Sequence, residues 1–492
     1  MSSPHTDHTI YDVLVVGAGL VGTAMAITLA RQGRQVLLLE RDLRERDRFV
    51  GESLMPGGVA ALQRLGLDKC LDDIDAIPHR GYRVTYFGEE STFWYPSASR
   101  YPVWGSEKTA AIAGSDRRHD NVQGLKHEGR GLRNGRLVSR LREMARREGN
   151  LRVVEATVKQ LLWSEDHQTV IGVASRSLTG ETTQTDHHFA HLTVIADGPA
   201  SNLRSMLTNK KPTSRSRYYA LGPMNIDLGS NVVNAVIDDM GCPAAVYQIS
   251  SKETRILIEI RNEMIAKLKE CGVREHIRTR VIPKLPSGVH LAAEKALAED
   301  RLKSMSSSWM PPCQTQARGV LLLGDAHNIR NPATASGMTM GLNDVVVLSE
   351  LVHPSRVSSL QDYAAVKREV SEFRRRRRSY SLVLNIMAQT IYLLVPNDDD
   401  DRRIFQGGFV AYARSDEGRM EELAALLSGV LPSPRTLYYH LAAIVLFSIR
   451  LHIQKQYVIS TWSAAVAVMH CLVAFVKLIL MSLPYVLPEL LA

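Results

Sequence analysis

The pattern of apolar and polar positions changes period along the chain. Tyr11–Val16 is a short apolar run and Gly17–Gly22 a glycine-rich turn. Thr23–Gln32 follows with helical period, and Gln35–Glu40 is a second apolar run. This order predicts a buried strand, a tight turn, a helix and another buried strand. Gly57–Leu65 predicts a further helix, and the aromatic and β-branched stretch Gly81–Tyr95 predicts strands. Trp104–Gly129 is polar, charged and aperiodic, and reads as a loop or insertion. Arginine and leucine recur through Gly135–Arg147 at helical spacing. Val153–Trp163, Thr169–Ser175 and Phe189–Ile195 read as strands. Tyr218–Glu259 keeps strand character, with turns at Gly222 and Gly241, and Glu263–Glu270 reads as a short helix. Val320–Leu323 is a buried strand that leads through a loop to a helix from about Gly337 to Leu351. From about Leu360 onward the pattern is helical. The fold class that emerges is α/β: a Rossmann-type, doubly wound domain interrupted by a β-sheet block, with a C-terminal helical region. No internal repeat is visible.

The C-terminal region is apolar enough to touch a membrane. Tyr457–Val476 contains no Asp, Glu, Lys or Arg and has about the length a bilayer requires. The earlier apolar stretch, Leu441–Ile449, is too short to span. With the polar segment Arg450–Gln456 as the joint, and Pro484 and Pro488 ending the second stretch, the two form a hairpin that dips into one leaflet. The alternative is a buried helical pair. Arg374–Arg378 is a run of five arginines, a solvated helix face or a contact for anionic headgroups. It lacks the aromatic pattern of nucleic-acid binding, which is not expected here. The N-terminal residues Met1–Thr9 carry neither a basic start nor an apolar core, so no cleaved signal is expected.

At 492 residues the chain exceeds one ordinary core and calls for two or three domains. A net charge of +9 fits an anionic surface or a phosphate-bearing ligand without choosing between them. The five cysteines form no CxxC pair, which argues against a zinc site or a disulfide framework. His187, His188 and His191 flank a strand with no further ligand evident, and read as surface or strand-edge residues.

Three motifs carry chemistry. The first is Gly17-Ala18-Gly19-Leu20-Val21-Gly22 between strand and helix. Gly17 permits the tight turn, Gly19 lets the backbone approach a pyrophosphate, and Gly22 lets helix and strand pack closely. The helix start offers free N–H groups to phosphate. Glu40 ends the next strand at the distance expected of a ribose-binding acid, and its charge disfavours a 2′-phosphate. The second motif is Asp197-Gly198-Pro199-Ala200-Ser201-Asn202-Leu203-Arg204, directly after the strand Leu192–Ala196. The third is Gly324-Asp325-Ala326-His327-Asn328, followed by Pro332 and Gly337-Met338-Thr339. An Asp at a strand end before small residues can hold a ribityl hydroxyl.

In this order and spacing the three motifs resemble the class A FAD-dependent monooxygenases of the p-hydroxybenzoate hydroxylase fold. Within them the chain is similar to the squalene monooxygenase (squalene epoxidase) family. The similarity runs through Gly51-Glu52-Ser53-Leu54-Met55-Pro56-Gly57-Gly58, Leu65-Gly66-Leu67, Gly81-Tyr82, Gly135-Arg136 and Leu322–Ala326. It implies FAD as cofactor, contacted by the backbone of Leu20 and Val21, with Glu40 and Arg41 on the adenosine side. It implies that Arg48, Ser53, Arg142 and Val158 line the FAD site, with Arg136 nearby, and that Asp325 and Met338 hold the ribityl and isoalloxazine portions. Tyr82 matches the tyrosine that shapes the catalytic site. The family usually carries Gln at Met55, His at Asn331 and glycines at Ala335 and Ser336, which bears on the choice of olefin rather than on flavin binding.

The resemblance further implies epoxidation of squalene, or a related apolar olefin, by O2 through a flavin C4a-hydroperoxide. No second glycine-rich nucleotide motif is apparent, and the resemblance implies that electrons would come from NADPH through a separate NADPH–cytochrome P450 reductase. The C-terminal helices would contact lipid, and the enzyme would sit on the endoplasmic reticulum membrane, or a lipid droplet, with its catalytic part cytosolic. The expected segments are 10–80, 129–210 and 313–360 for FAD, 81–128 and 211–312 for substrate, and 361–492 for the membrane-associated helices. Two alternatives stand beside this reading: a class A hydroxylase or epoxidase of a meroterpenoid or aromatic compound, and a non-catalytic flavin-binding membrane protein.

Overall fold

The computed structural model describes residues 6–102, 126–177, 185–240, 242–268, 271–394, 400–457 and 461–491. Most of the Trp104–Gly129 loop reading and the Gly241 turn lie outside these residues.

β1 (Thr6–Val16) and β2 (Val36–Glu40) bracket α1 (Leu20–Arg31). Val13–Val16 pair in parallel with Val36–Leu39 on one side and with Leu192–Ile195 on the other. Both faces of these strands are covered, so they read as continuous apolar runs rather than as alternation. After β3 (Ser53–Leu54) and α2 (Pro56–Arg64) come β4 (Ile77–His79), β5 (Gly81–Tyr86), β6 (Glu89–Trp94) and β7 (Gly129–Gly131). α3 (Asn134–Arg146), β8 (Leu151–Trp163), β9 (Val170–Ser177), β10 (Thr185–Ile195) and α4 (Asn202–Leu207) follow. The first sheet has six strands, joining β1, β2, β8, β9 and β10 to β16 (Val320–Leu322). Its centre is parallel, and β9 runs antiparallel to both β8 and β10. A small sheet of three strands, β3, β7 and β4, bridges to the next layer.

The second large sheet has seven strands, in the order β15, β11, β14, β13, β12, β5, β6. Here β11 is Thr213–Asn225, β12 Val232–Ile237, β13 Ala244–Gln248, β14 Glu253–Arg261 and β15 Leu302–Trp309. Strand alternation sorts β14. Ile256, Ile258 and Ile260 pack against Ile277, Val281, Val289 and Leu297, while Leu257 and Glu259 face a cavity on the other side. The covering helices are α5 (Asn262–Lys267), α6 (Gly272–His276) and α7 (His290–Ala298). The sequence pattern shows neither α7 nor β15, whose Leu-Lys-Ser-Met-Ser-Ser-Ser-Trp has little apolar signal.

The remainder is helical as expected: α8 (Gly337–Leu351), α9 (Tyr363–Leu394), α10 (Asp400–Arg414), α11 (Glu417–Leu427), α12 (Pro434–Tyr457) and α13 (Thr461–Leu491). Several details are corrected. Among the described residues, α12 supplies a stretch long and apolar enough to cross a membrane, Pro434–Gln454, where the expectation gave only the short Leu441–Ile449. Part of Tyr457–Val476 lies outside the described residues. The segment Arg450–Gln456 is no joint, because α12 continues through it to Tyr457. Pro484 and Pro488 lie inside α13 and do not end it. The arginine run is also divided. Arg375 and Arg376 pair with Glu372 at the surface of α9, whereas Arg377 is buried against Asp344 of α8 at 2.9 Å. His188 is likewise buried, on Ser175 at 3.0 Å, rather than exposed.

Candidate functional site

The C-terminal ends of β1, β10 and β16 converge on one edge of the first sheet. Gly17 occupies the left-handed region at φ 100°, and its N–H donates to the Leu39 carbonyl at 2.7 Å. A Cβ on Gly22 would fall on the Gly17 carbonyl oxygen, so α1 can rest against the turn only without one. Gly19 differs: a Cβ there would meet open space. The Glu40 carboxylate accepts from the Ala18 N–H at 2.7 Å and the Asp42 N–H at 3.1 Å. Arg142 on α3 donates to the Ala18 carbonyl at 2.8 Å and lies 3.7 Å from Glu40. Acid and base thus clamp the turn from both sides.

At the end of β10, the Asp197 Oδ1 is buried with no hydrogen-bond partner, and burial pushes this carboxyl up from its ordinary range. The neighbouring Gly198 and, at the start of α8, Gly337 open onto free space. At the end of β16, Asp325 sits in a 3-10 turn with its Oδ2 4.0 Å from Arg48. Open glycines, an orphaned buried carboxylate oxygen and an acid at the β2 end are what FAD requires of its cradle, and the residues present fit it.

One cavity of about 1040 Å³ holds most of the expected residues in its wall: Gly17, Gly19, Leu20, Val21, Glu40, Arg41, Arg48, Ser53, Tyr82, Arg142, Asp325 and Met338. Gly22 stands behind the wall and supports it. Two residues are not brought there. Arg136 and Arg142 are six residues apart on α3, about 240° around the helix, so both cannot face the cradle. Arg142 does, and Arg136 donates instead to the Ile74 carbonyl at 3.4 Å. Val158 lies on β8 and packs into the apolar layer with Val154 and Trp163.

Away from the cradle the cavity becomes apolar. Val84, Val233, Ala235, Ile237 and Leu257 come from the second sheet, and Met387, Ile391, Phe409, Leu423, Leu437 and Ile444 from α9 to α12. Tyr82 stands at the junction, where its hydroxyl donates to the Met55 sulfur at 3.0 Å. Burial drives its phenol well above the ordinary value, so it stays protonated.

Three groups escaped the sequence reading. Tyr95 joins Tyr82 on Met55, at 3.3 Å. Arg255, fully buried, makes a two-pronged pair with Glu52, which Tyr247 also holds. Glu259 accepts from Ser216, Tyr218 and Asn331. Charged residues inside Arg255-Ile-Leu-Ile-Glu259 were the available signal, since an apolar strand tolerates them only when paired.

Two buried histidines weaken the fold in acid, while Glu52, whose carboxyl burial raises to about 7, acts the other way. His79 Nε2 donates to the Gln248 carbonyl at 3.0 Å, so Nδ1 receives the Ser53 hydroxyl at 3.2 Å. Burial pushes its pKa down to about 4. His327 is driven well below its usual value by burial and by Arg377. Both pKa values are lower in the folded state, so the unfolded chain binds more protons below pH 6.5 and stability is lost as the pH is lowered. At pH 5 the cost from His79 is about 2 kcal/mol. In detergent, His327→Gln is expected to lose less melting temperature than the parent on acidification from pH 7 to pH 5.

Known proteins show the same organisation. A squalene epoxidase family model matches residues 189–466, and an FAD-dependent oxidoreductase model matches 12–276. The chain is 36% identical over 487 residues to squalene epoxidase of Aspergillus fumigatus, covering 98% of this chain and 94% of that one. It is 33% identical over 439 residues to squalene monooxygenase of Mus musculus, covering 89% and 71%. Among solved structures, a flavin-dependent brominase aligns with TM-score 0.65 at 15% identity, over 91% of this chain and 100% of the other. A p-nitrophenol 4-monooxygenase of Pseudomonas putida aligns with TM-score 0.62 at 19% identity, over 87% and 99%. These two share the fold.

Proposed function

The chain belongs to the squalene epoxidase family, and on that footing we propose that it is an FAD-dependent monooxygenase converting squalene to 2,3-oxidosqualene in sterol biosynthesis. The observation that carries the reading is the continuity of the cavity. The same space of about 1040 Å³ touches the glycine cradle and the apolar chamber, so a hydrocarbon in the chamber can reach a cofactor in the cradle without crossing water.

FAD, when bound, supplies the electrons that activate O2 for insertion into an alkene. The chain's own residues then bind and orient. Gly17, Gly19 and the start of α1 would receive the pyrophosphate, and Glu40, with Arg41 beside it, the adenosine side. Asp197 and Asp325 offer carboxylates to the ribityl chain, and Met338 a wall for the ring. An isolated alkene needs no side-chain nucleophile, and what the site must do is exclude water. Leu257, Val233 and Ile391 do that, while Tyr82 fixes the boundary between chamber and cradle.

Electrons would come from NADPH through a separate reductase. The exposed apolar faces of α12 (Tyr438, Tyr439, Leu446) and α13 (Trp462, Val466, Leu472, Val473) fit contact with lipid. In this reading they hold the cytosolic catalytic part on the endoplasmic reticulum, beside α12 and the substrate dissolved in the bilayer. Segments 10–80, 129–210 and 313–360 act as the flavin unit, 81–128 and 211–312 as the substrate unit, and 361–492 as the membrane unit.

The test supplies the flavin-loaded protein in detergent with NADPH, a microsomal reductase and squalene. Reductase-dependent 2,3-oxidosqualene is the expected product by mass spectrometry. Epoxide-free turnover of NADPH without any reductase would replace this reading with a self-reducing hydroxylase.

A further inference from the structure

Met55 ends the residues before α2 and is almost wholly buried, yet it lines the cavity where chamber meets cradle. Two phenols converge on its sulfur, Tyr82 at 3.0 Å and Tyr95 at 3.3 Å, with their rings edge-on at 5.7 Å between centroids. This is an odd use of donors. A thioether is a weak acceptor. The two hydroxyls also lie within hydrogen-bond reach of each other, so one proton can go to the neighbouring phenol, but the other is left short of a stronger acceptor than the sulfur. An oxygen atom placed on the sulfur would be such an acceptor, within reach of both hydroxyls.

We propose that Met55 is an oxidation site, converted to its sulfoxide by hydrogen peroxide released inside the cavity and held in that form by Tyr82 and Tyr95. The oxidant rests on the flavin reading above: reduced flavin that meets O2 without an olefin yields hydrogen peroxide. In the step itself the sulfur lone pair attacks one peroxide oxygen. The S–O bond forms as the O–O bond breaks, and the departing hydroxide takes the proton of the transferred hydroxyl to leave as water. Sulfur loses two electrons and the peroxide gains them.

The consequence is self-limitation. A sulfoxide sets a polar group in the wall that an apolar olefin must pass, so oxidised enzyme keeps its cradle but binds hydrocarbon less well. Burial keeps repair enzymes away from the residue, so the change accumulates with each cycle that lacks substrate.

The test uses the full-length flavin-loaded protein in detergent, photoreduced and reoxidised in air without olefin, with catalase in solution. Peptide mass spectrometry then reads oxygen gain at three methionines. Met25 is buried in α1 away from the cavity, and Met206 on α4 is exposed. Met55 is expected to reach roughly five times the sulfoxide fraction of Met25 or more. Catalase, too large for the cavity, should suppress oxidation at Met206 and spare Met55. Tyr95→Phe should lower the yield at Met55 about twofold or more by removing one of its two donors. Oxidation of Met55 no faster than that of Met25, or abolished by catalase, overturns the proposal while the flavin reading stands. If the flavin band fails to bleach and recover, that reading has failed instead. Hydrogen peroxide added directly then decides the site alone: Met55 ahead of Met25 supports it, and parity overturns it.

Discussion

Replacing Arg377 by alanine is expected to cost about 3–5 kcal/mol, the loss that follows when one partner of a buried ion pair is removed. The Arg377 Nε donates to Asp344 Oδ1 at 2.9 Å, and the Tyr380 hydroxyl donates to the same oxygen at 2.8 Å. Asp344 is fully buried, so without the guanidinium its charge has no cation beside it among the described residues. The second arm of Arg377 reaches Asn328, which also receives Arg330 and Asn385. One side chain therefore ties α9 to α8 and to the loop that leads from Asp325 to Met338. Both stability and flavin retention should fall, as read by thermal unfolding and bound-flavin absorbance. Arg378→Ala, one residue on and exposed, should stay within about 0.5 kcal/mol of the parent. The pair Asp344→Leu with Arg377→Met should recover most of the loss, because apolar replacements leave no buried charge behind. A double variant as unstable as the single one would mean that the network matters for its hydrogen bonds rather than for its charges.

That arginine also shows where sequence reading stops. Five arginines in a row invite a uniform interpretation, but a helix turns them to different faces, and only the tertiary partner says which one is buried. The cradle was legible for the opposite reason. Gly17, Gly22 and Glu40 act through the backbone and through fixed spacing, both of which survive in one dimension. Arg136 failed on helical phase, since α3 already spends its inward face on Arg142. Val158 is outside the cavity wall because β8 turns it into the apolar layer with Val154 and Trp163, a placement that a residue-by-residue resemblance does not carry. The chamber was the least legible part. Val84, Leu257 and Phe409 line it from segments more than a hundred residues apart, and each in isolation is an ordinary apolar position. The greater length of the apolar stretch in α12 has a similar cause. Arg450 looks like a boundary on paper, but a long side chain on a helix surface can keep its charge in water while the helix continues.

The glycines allow a sharper prediction, because two of them should fail differently. Gly22→Ala sets a methyl group on the Gly17 carbonyl, so α1 must lift from β1 and the core that includes Ala24, Met25 and Ile27 must follow. Overpacking of this kind costs about 1–3 kcal/mol and opens the cradle as well. Gly19→Ala should leave the protein alone, since its Cβ meets no protein atom within 4 Å and its φ of -76° suits any residue. The methyl group would instead occupy the approach to the pyrophosphate. The flavin-free forms should therefore diverge, with Gly19→Ala melting like the parent and Gly22→Ala well below it. Flavin affinity should fall in both, by about a hundredfold if the steric loss reaches roughly 2.7 kcal/mol. Flavin titration into each apoprotein, followed by fluorescence quenching, separates the cases. A Gly19→Ala protein that binds flavin like the parent would place the pyrophosphate away from this turn and overturn the assignment of the cradle.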